Sequence, residues 1–332
     1  MSSYDDIFAN RQTQKQTESQ SFVFAPQGES GSAARRFDKD AWAESKQAER
    51  GEVYEMMDAA TIKTLSGGTD FRRFLDTISH FDRYSAGNIL LIMTQNPDAT
   101  KLRDFENWKD SGVNIRKNEK GIRILEPSGE YTREDGTTGI SYNVKRVFDI
   151  SQTTAIKPVR QPAKTDPNEL RKTIGYLTKS SPVAVSISDN LPDGIGAEYV
   201  PDDSVIYIRR GMDGGDILRS LSNEIAHAGL HLQNGEYNRA EASFPAYCAT
   251  YAICKRAGVD VGSFSFDRLP NEYAGMEPQE GRTELSQIRN LTANIIEKMD
   301  AQKERQQEKA AAERRSYSRL RTQDERNIAD VR

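Results

Sequence analysis

The sequence predicts an α+β protein of two domains, because the spacing of its apolar residues changes along the chain. From about Gly67 to Gly112 apolar residues recur every three or four positions, which is typical of amphipathic helices. After Gly112 they alternate with polar residues, as in half-buried strands. Helical spacing returns beyond the polar stretch QPAKTDP. A length of 332 residues also suits two domains of about 100–200 residues, each with its own core.

Composition sets the proposed boundaries of these domains. The first fifty residues are rich in Gln, Ser, Asp and Glu and show no sustained period, so we expect disorder there and order from near Gly67. QPAKTDP has the character of a linker. The predicted segments are a disordered stretch 1–50, a first domain 51–157, a linker 158–165, a second domain 166–300 and a charged tail 301–332 that forms a solvated helix or coil.

The first domain is predicted to begin with three helices. The stretch FRRFLDTISHF has the helical period, and Ser85 is expected to cap the more apolar helix AGNILLIMTQ. Thr100 is expected to cap a third helix, in which Leu102, Phe105 and Trp108 share one face. A small antiparallel sheet should follow. It comprises two strands around the Lys-Gly turn of VNIRKNEKGIRILEP and a hairpin that turns at the Asp-Gly pair of GEYTREDGTTGISYNVKRVFDI.

The second domain has a different order of elements. A helix at NELRKTIGYL precedes two strand candidates, PVAVSIS and SVIYIRR. Three helices follow, at GGDILRSLSNEIAHAGLHL, FPAYCATYAICKRAG and TELSQIRNLTANIIEKM. The order helix, strands, helix, helix is expected of a small zincin-like α+β domain, in which a sheet supports a metal-bearing helix.

Charge and apolar content narrow the classes of protein. The formal net charge is only −4, so any contact with nucleic acid must come from a local basic face. No apolar run reaches the roughly 18 residues of a membrane helix, and the polar start lacks a secretory signal. We therefore expect a cytoplasmic protein without membrane contacts. Cys248 and Cys254 stand six apart in one predicted helix and are expected to be buried rather than disulfide-bonded.

A basic stretch with interleaved aromatic residues lies between Lys101 and Arg123. Single-stranded nucleic acid is held by cations that follow its phosphates and by rings on which bases stack. Trp108 is the candidate stacking ring here, whereas Phe105 and Phe81 are expected in the core. The alternative is that Trp108 is core as well and that the lysines form an ordinary solvated turn.

A longer stretch resembles a known family. The segment ISHFDRYSAGNILLIMTQNPDATKLRDFENWKDSGVNIRKNEKGIRILEP closely resembles the N-terminal single-stranded DNA-binding domain of the ArdC antirestriction family, and YNVKRVFDISQT is similar to its continuation in LtrC-like proteins of conjugative elements. The resemblance covers roughly residues 67–153. It implies binding of single-stranded DNA during plasmid or transposon transfer, protection of incoming DNA from restriction, and transfer or restriction proteins as further partners. The candidate DNA-contacting residues are Tyr84, Ser85, Asn88, Gln95, Thr100, Arg103, Trp108, Lys109, Arg116, Lys117, Lys120 and Arg123.

The stretch SNEIAHAGLH contains a departure from a metallopeptidase motif. In His-Glu-x-x-His, two histidines one turn apart bind zinc, and the glutamate takes a proton from the metal-bound water. Here Glu224 and His227 are kept, but Asn223 stands at the first histidine position. The family resemblance implies a third ligand from an acidic second helix, where this chain has Ser243 and Tyr247. Two of the three ligand positions are therefore lost.

A rebuilt metal site is the alternative. His227 and His231 stand four residues apart on one helical face, with Glu241 or Asp216 as a third partner. Zinc is thus the one cofactor the sequence allows, and the expectation is that none is bound.

Three functions remain open at this stage. The first is a DNA-binding accessory protein of a mobile element with a catalytically dead zincin-like domain. The second is an active zinc metallopeptidase near single-stranded DNA, with Glu224 as its catalytic residue. The third is a protein-interaction module of the transfer machinery. The sequence gives no oligomeric state.

Overall fold

The computed structural model describes residues 39–133, 135–155 and 166–329, with side chains as far as residue 315. The chain divides into two compact units, residues 1–43 and 44–332. Apart from the first turn of the first helix, the described residues belong to the second unit. Within them, every helix is too short or too polar to span a lipid bilayer.

The described residues of the N-terminal half form four α-helices and an antiparallel sheet, which confirms the predicted α+β class. The strand order is β1-β3-β2, so β2 lies at one edge. The β2–β3 hairpin turns at Gly136, whose φ of 81° favours glycine, as the Asp-Gly pair predicted. The elements are α1 (Lys39–Leu65), α2 (Gly68–His80), α3 (Ala86–Gln95), β1 (Leu102–Arg103), α4 (Phe105–Asp110), β2 (Ile122–Thr132) and β3 (Thr138–Asp149).

Helix α1 corrects the prediction that residues 1–50 are disordered and that order begins near Gly67. It runs from Lys39, and its buried side chains include Val53, Met57, Ala60 and Thr61. These residues do have helical spacing, but Ala and Thr occupy positions where Leu or Ile would reveal the period. The rest of the predicted disordered stretch lies outside the described residues.

The third predicted helix is shorter than the sequence suggested. Helix α4 begins after Asp104, whose side chain accepts a hydrogen bond from the Asn107 N–H at 2.8 Å. Thr100 is therefore not its cap, and Leu102 belongs to β1. The predicted strand before the Lys-Gly turn contributes only an isolated bridge at Ile115.

In the C-terminal half, a small mixed sheet supports three long helices. Its strand order is β4-β6-β5, with β4 parallel and β5 antiparallel to β6. The prediction missed β5, which has only four residues, and began α7 too late, because Pro245 lies inside that helix. The elements are α5 (Pro167–Ser180), β4 (Ala184–Ser188), β5 (Ala197–Val200), β6 (Val205–Arg209), α6 (Gly214–Asn234), α7 (Arg239–Arg256) and α8 (Pro278–Ala329). Helix α8 includes most of the predicted tail.

The larger hydrophobic core joins residues from both predicted domains. Helix α2 packs against α7, where the Tyr251 hydroxyl donates to Asp76 Oδ1 at 2.7 Å and Lys255 pairs with the same carboxylate at 3.1 Å. The predicted linker 158–165 lies outside the described residues. Buried side chains of this shared core include Phe71, Phe74, Leu75, Ile89, Cys248, Tyr251, Phe264, Phe266 and Leu285.

A second core lies between the β4-β6-β5 sheet and the helices that cover it. It holds α6 in place and thereby fixes the side chains of the metallopeptidase-like stretch. Its buried members include Tyr199, Ile206, Leu218, Leu221, Ile225, Ile253, Cys254, Leu291 and Ile295. Both cysteines are free and buried, as their spacing predicted.

Candidate functional site

Two amide side chains of α3 pair with the outer edge of strand β2. Asn88 donates to the Leu125 carbonyl and accepts from its N–H, both at 2.8 Å. Gln95 makes the same pair of bonds with Arg123, at 2.8 and 2.9 Å. Ser85 caps α3 by accepting from the Asn88 N–H. Asn88 and Gln95 thus hold α3 against the sheet, and Ser85 caps the helix; the role of these three residues in binding DNA stays a prediction.

The Val-Phe-Asp-Ile-Ser-Gln-Thr motif is organised around the fully buried Asp149. Its Oδ1 accepts from the backbone N–H groups of Thr100 and Lys101, at 2.6 and 2.8 Å, and its Oδ2 accepts from Ser151 N. Burial alone would raise the pKa of Asp149, but the bonds from Lys101, Ser151 and Thr100 outweigh it and hold the pKa below its usual value. Thr100 thus contributes its backbone to the fold.

Asp149→Asn is expected to destabilise the protein at neutral pH by about 1.5–3 kcal/mol, because hydrogen bonds to a charged acceptor are lost. The folded-state pKa lies below the unfolded value of about 3.9. The carboxylate therefore stabilises the fold above that value, and the contribution is lost as the pH falls through the folded-state pKa. Urea unfolding of both proteins over an acid series should show the difference in free energy shrinking towards low pH. The exposed Asp110→Asn is the control, and a difference independent of pH would contradict this assignment.

Trp108 is buried and Phe105 is exposed, the reverse of the burial that the sequence predicted. Trp108 is 2% exposed, and its Nε1 donates to the Phe148 carbonyl at 2.8 Å. The Arg103 guanidinium and the Lys101 ammonium lie 5.2 and 5.9 Å from the centre of its ring. A ring enclosed in this way has no face open to a base. Phe105, predicted to be core, is 57% exposed at the start of α4.

The predicted cations fall into two groups. Lys109, Lys117 and Lys120 are exposed and take part in none of the ion pairs within the described ranges. The others have protein partners: Arg103 lies over the Trp108 ring, Arg116 pairs with Glu119 at 3.4 Å, and Arg123 pairs with Glu52 at 2.7 Å.

A groove of about 330 Å³ lies between α3, α4 and the sheet, and the half-buried Tyr84 lines it. Its charged residues balance. Lys145 contacts Glu126 at 2.7 Å and Asp104 at 3.3 Å, and the hydrogen bond that it donates to Glu126 is the main cause of its raised pKa. Arg103 is the other cation in the lining. The groove is therefore not a basic channel.

Glu224 on α6 is the centre of a second polar cluster. Its carboxylate is 4% exposed and forms a two-pronged ion pair with Arg239, with Nη2 2.7 Å from Oε1 and Nη1 3.0 Å from Oε2. The Tyr199 N–H donates to Oε2 at 2.8 Å, and Asn223 Nδ2 donates to Oε1 at 3.0 Å. An opening of about 320 Å³ borders the pair, between the start of β5 and α6.

The two histidines of α6 each contact a different tyrosine. His227 Nδ1 lies 3.1 Å from the Tyr237 hydroxyl, and His231 Nδ1 lies 2.8 Å from the Tyr199 hydroxyl. Burial lowers the pKa of His227; the charge of Glu224 opposes this shift and that of Arg239 adds to it. The imidazole of His227 is therefore neutral at physiological pH.

The residues considered as third metal partners are engaged elsewhere. Asp216 pairs with Arg219 at 2.6 Å near the start of α6. Glu241 accepts from Asn238 Nδ2 at 2.7 Å. Among the residues that the structure describes, no three His, Cys, Asp or Glu side chains come together as a metal-binding group.

Comparison with known proteins identifies the N-terminal half. The profile of the N-terminal domain of the anti-restriction factor ArdC matches residues 52–174. These residues form an ArdC-like domain. The match begins inside α1, so the domain includes about half of the helix that the sequence pattern missed. An uncharacterized protein of Bacillus anthracis is 22% identical over 342 residues, which span 86% of this chain and 56% of that protein. The chain thus spans about half the length of this relative.

Two crystal structures of the antirestriction protein ArdC from plasmid R388 are also similar to the chain. The metal-free structure is 16% identical, covers 65% of this chain and 83% of its own, and has a TM-score of 0.38. The Mn(II)-bound structure is 15% identical, covers 67% and 88%, and has a TM-score of 0.40.

The residues of α6 do not fit the metal that the family resemblance implies. Asn223 offers an amide where an imidazole is needed, and its nitrogen faces Glu224. A catalytic zinc needs three protein ligands and a glutamate free to take a proton from water. Glu224 instead accepts four hydrogen bonds from protein groups. No chemical step through a metal is therefore assigned to this chain.

Sequence reasoning missed the residues that complete this cluster. Arg239 stands fifteen positions after Glu224, at the start of α7, and no motif joins the two. Tyr237 and Tyr199 are also absent from the predicted site. Tyr199 was missed because it lies on strand β5, which the sequence pattern did not predict. The signal that the sequence offered for this cluster was Arg239 itself, a basic residue that follows the metallopeptidase-like stretch closely.

Proposed function

We propose that the ArdC-like domain binds single-stranded DNA and that the protein is an antirestriction-like accessory protein of a mobile element. The profile match to the anti-restriction factor ArdC supports the family role. The physical support is local and comes from the stretch that contains α4 and the turn after it. Restriction or transfer proteins are the further partners of this proposal.

One observation carries the proposal for DNA: an exposed ring lies in the same short stretch as three unpaired lysines. Phe105 is 57% exposed, and Lys109, Lys117 and Lys120 are exposed within the next fifteen residues. Stacking of a base on an aromatic ring contributes about 1–3 kcal/mol, and lysines add an electrostatic contribution that salt weakens. We therefore assign stacking to Phe105 rather than to Trp108.

The C-terminal half is proposed to act without peptidase chemistry. A general base must be free to accept a proton from water. Both oxygens of Glu224 are occupied by Arg239, Asn223 and the Tyr199 N–H. This half is therefore proposed to support the fold and to present surfaces to partners.

Phe105→Ala is expected to weaken binding of a single-stranded oligonucleotide by about 5- to 150-fold, which corresponds to one lost stack. Because the ring is exposed, the melting temperature should stay close to that of the wild type. Fluorescence anisotropy with a labelled oligonucleotide measures the affinity, and a duplex of the same sequence tests strand preference. Leu232→Ala is the matched control, since Leu232 is also 57% exposed but lies on α6. Equal binding of duplex and single strand would count against stacking.

Lys117→Ala is expected to lower the salt dependence of binding. Each phosphate contact on a single strand contributes a slope of about −0.7 in log affinity against log salt concentration. Titration at a series of salt concentrations should therefore give a slope smaller by about 0.7 for this variant. Lys298→Ala on α8 replaces an exposed lysine outside the ArdC-like domain and should leave the slope unchanged. If the wild type shows no salt-dependent binding, the protein-interaction alternative is favoured.

A further inference from the structure

We propose that the Arg239 guanidinium is a built-in cation that takes the place of a divalent metal beside Glu224 and His227. The site keeps a positive charge opposite its buried carboxylate, but the charge belongs to the polypeptide. This inference goes beyond the proposed DNA binding and does not depend on it.

The first step concerns position. Residues 223 and 227 stand one helical turn apart on α6, where two metal-binding histidines would project on the same side. Arg239 Nη2 and Asn223 Nδ2 share Glu224 Oε1, at 2.7 and 3.0 Å. Arg239 Nη1 lies 3.3 Å from the Tyr237 hydroxyl, which is itself 3.1 Å from His227 Nδ1. One shared atom, Glu224 Oε1, therefore links the guanidinium to Asn223. A second shared atom, the Tyr237 hydroxyl oxygen, links it to His227.

The second step concerns hydrogen-bonding capacity. A carboxylate offers about four acceptor positions on its two oxygens. Glu224 receives two N–H groups on each oxygen, and Arg239 supplies one of each pair. Neither oxygen retains an acceptor position for a metal ion or for water bound to one.

The third step concerns charge. Glu224 and Arg239 neutralise each other, and the hydrogen bond to Glu224 raises the pKa of Arg239, so the guanidinium keeps its charge. The neighbouring His227 is neutral. A divalent ion at this point would stand beside a fixed positive charge, and that charge already neutralises the Glu224 carboxylate. Arginine suits the role because its planar fork matches a carboxylate at two points.

The consequence is a structural link that needs no metal. Glu224 belongs to α6, Arg239 to the start of α7, and Tyr199 to β5. One buried carboxylate therefore joins three elements through groups of the chain itself.

The test restores the missing imidazole with and without Arg239. The proteins are the full-length wild type, Asn223→His, and Asn223→His combined with Arg239→Ala, each dialysed against chelator and then exposed to Zn²⁺ alone. Elemental analysis gives bound zinc, and thermal unfolding gives its effect on melting temperature. We expect no bound zinc in the wild type and little in the single variant. The double variant should bind more zinc than the single variant, through the two imidazoles at positions 223 and 227, and should melt at a higher temperature with zinc than without.

Control variants show whether zinc binds because Arg239 has been removed or because the fold has been destabilised. Arg219→Ala in the Asn223→His background removes another α6 arginine, and this protein should not gain zinc. If the alanine variant does not fold, Arg239→Gln in the same background takes its place. Glutamine removes the positive charge but keeps a hydrogen-bonding side chain opposite Glu224. Stoichiometric zinc in the wild type would overturn the proposal. So would equal zinc binding by Asn223→His with Arg239 present, or a folded double variant that binds none. None of these results bears on DNA binding.

Discussion

Trp108→Ala is expected to lower the free energy of unfolding by about 3–5 kcal/mol, the usual cost of truncating a large buried ring. The indole is 2% exposed, and its Nε1 donates to the Phe148 carbonyl. The substitution creates a cavity and leaves that carbonyl without its donor. Oligonucleotide affinity of the variant should fall only as its folded fraction falls, because no base stacks on this ring.

Urea unfolding followed by circular dichroism measures the stability of this variant, and anisotropy at low temperature measures the affinity of its folded form. Phe105→Ala is the natural counterpart, because an exposed ring three residues away should change stability by no more than about 0.5 kcal/mol. The two variants therefore separate folding from binding. A stable Trp108→Ala protein that has lost affinity for the oligonucleotide would show that the indole contacts DNA.

The second large effect is expected for Arg239→Ala, which removes the partner of a buried carboxylate. Breaking a buried ion pair costs about 3–5 kcal/mol, and because the Arg239 side chain is 47% exposed the lower end, about 3 kcal/mol, is expected. The loss arises mainly from the unpaired charge of Glu224, which keeps only two of its four donors.

A rescue experiment tests whether the unpaired charge of Glu224 causes this loss of stability. Adding Glu224→Gln to Arg239→Ala removes the unpaired charge, so the double variant should be more stable in urea than Arg239→Ala alone. Arg239→Lys should fall between the wild type and the alanine variant, because lysine keeps the charge but cannot match the carboxylate at two points. If the two substitutions are additive, the pair does not act as a unit.

Strong apolar periodicity made the interior of the N-terminal half predictable. Helices α2 and α3 follow the predicted stretches because Phe71, Phe74 and Ile89 are large and regularly spaced. Helix α1 was missed because small or hydroxyl-bearing residues such as Ala60 and Thr61 form its buried face. Residues of low hydrophobicity can occupy core positions when other elements pack against them, and these packing partners are not visible in a local pattern.

The candidate site was predictable in its location but not in its contacts. Asn88 and Gln95 were recognised as special polar residues, yet the edge of β2 that they satisfy lies 28 to 37 residues away. Phe105 and Trp108 stand three residues apart, and their spacing does not decide which of them is buried. Trp108 is enclosed by Phe148, Arg103 and Lys101, contacts that a local pattern does not show.

The core shared by α2 and α7 also limits how this protein can be dissected. A fragment ending at residue 174 would contain the whole ArdC-like domain but would leave the apolar side of α2 exposed to water. Such a fragment is prone to aggregate, and its failure to bind an oligonucleotide would say little about the intact protein. For the same reason, recombination between relatives could not exchange this domain alone without matching changes in α7, so the two halves are expected to have been inherited together.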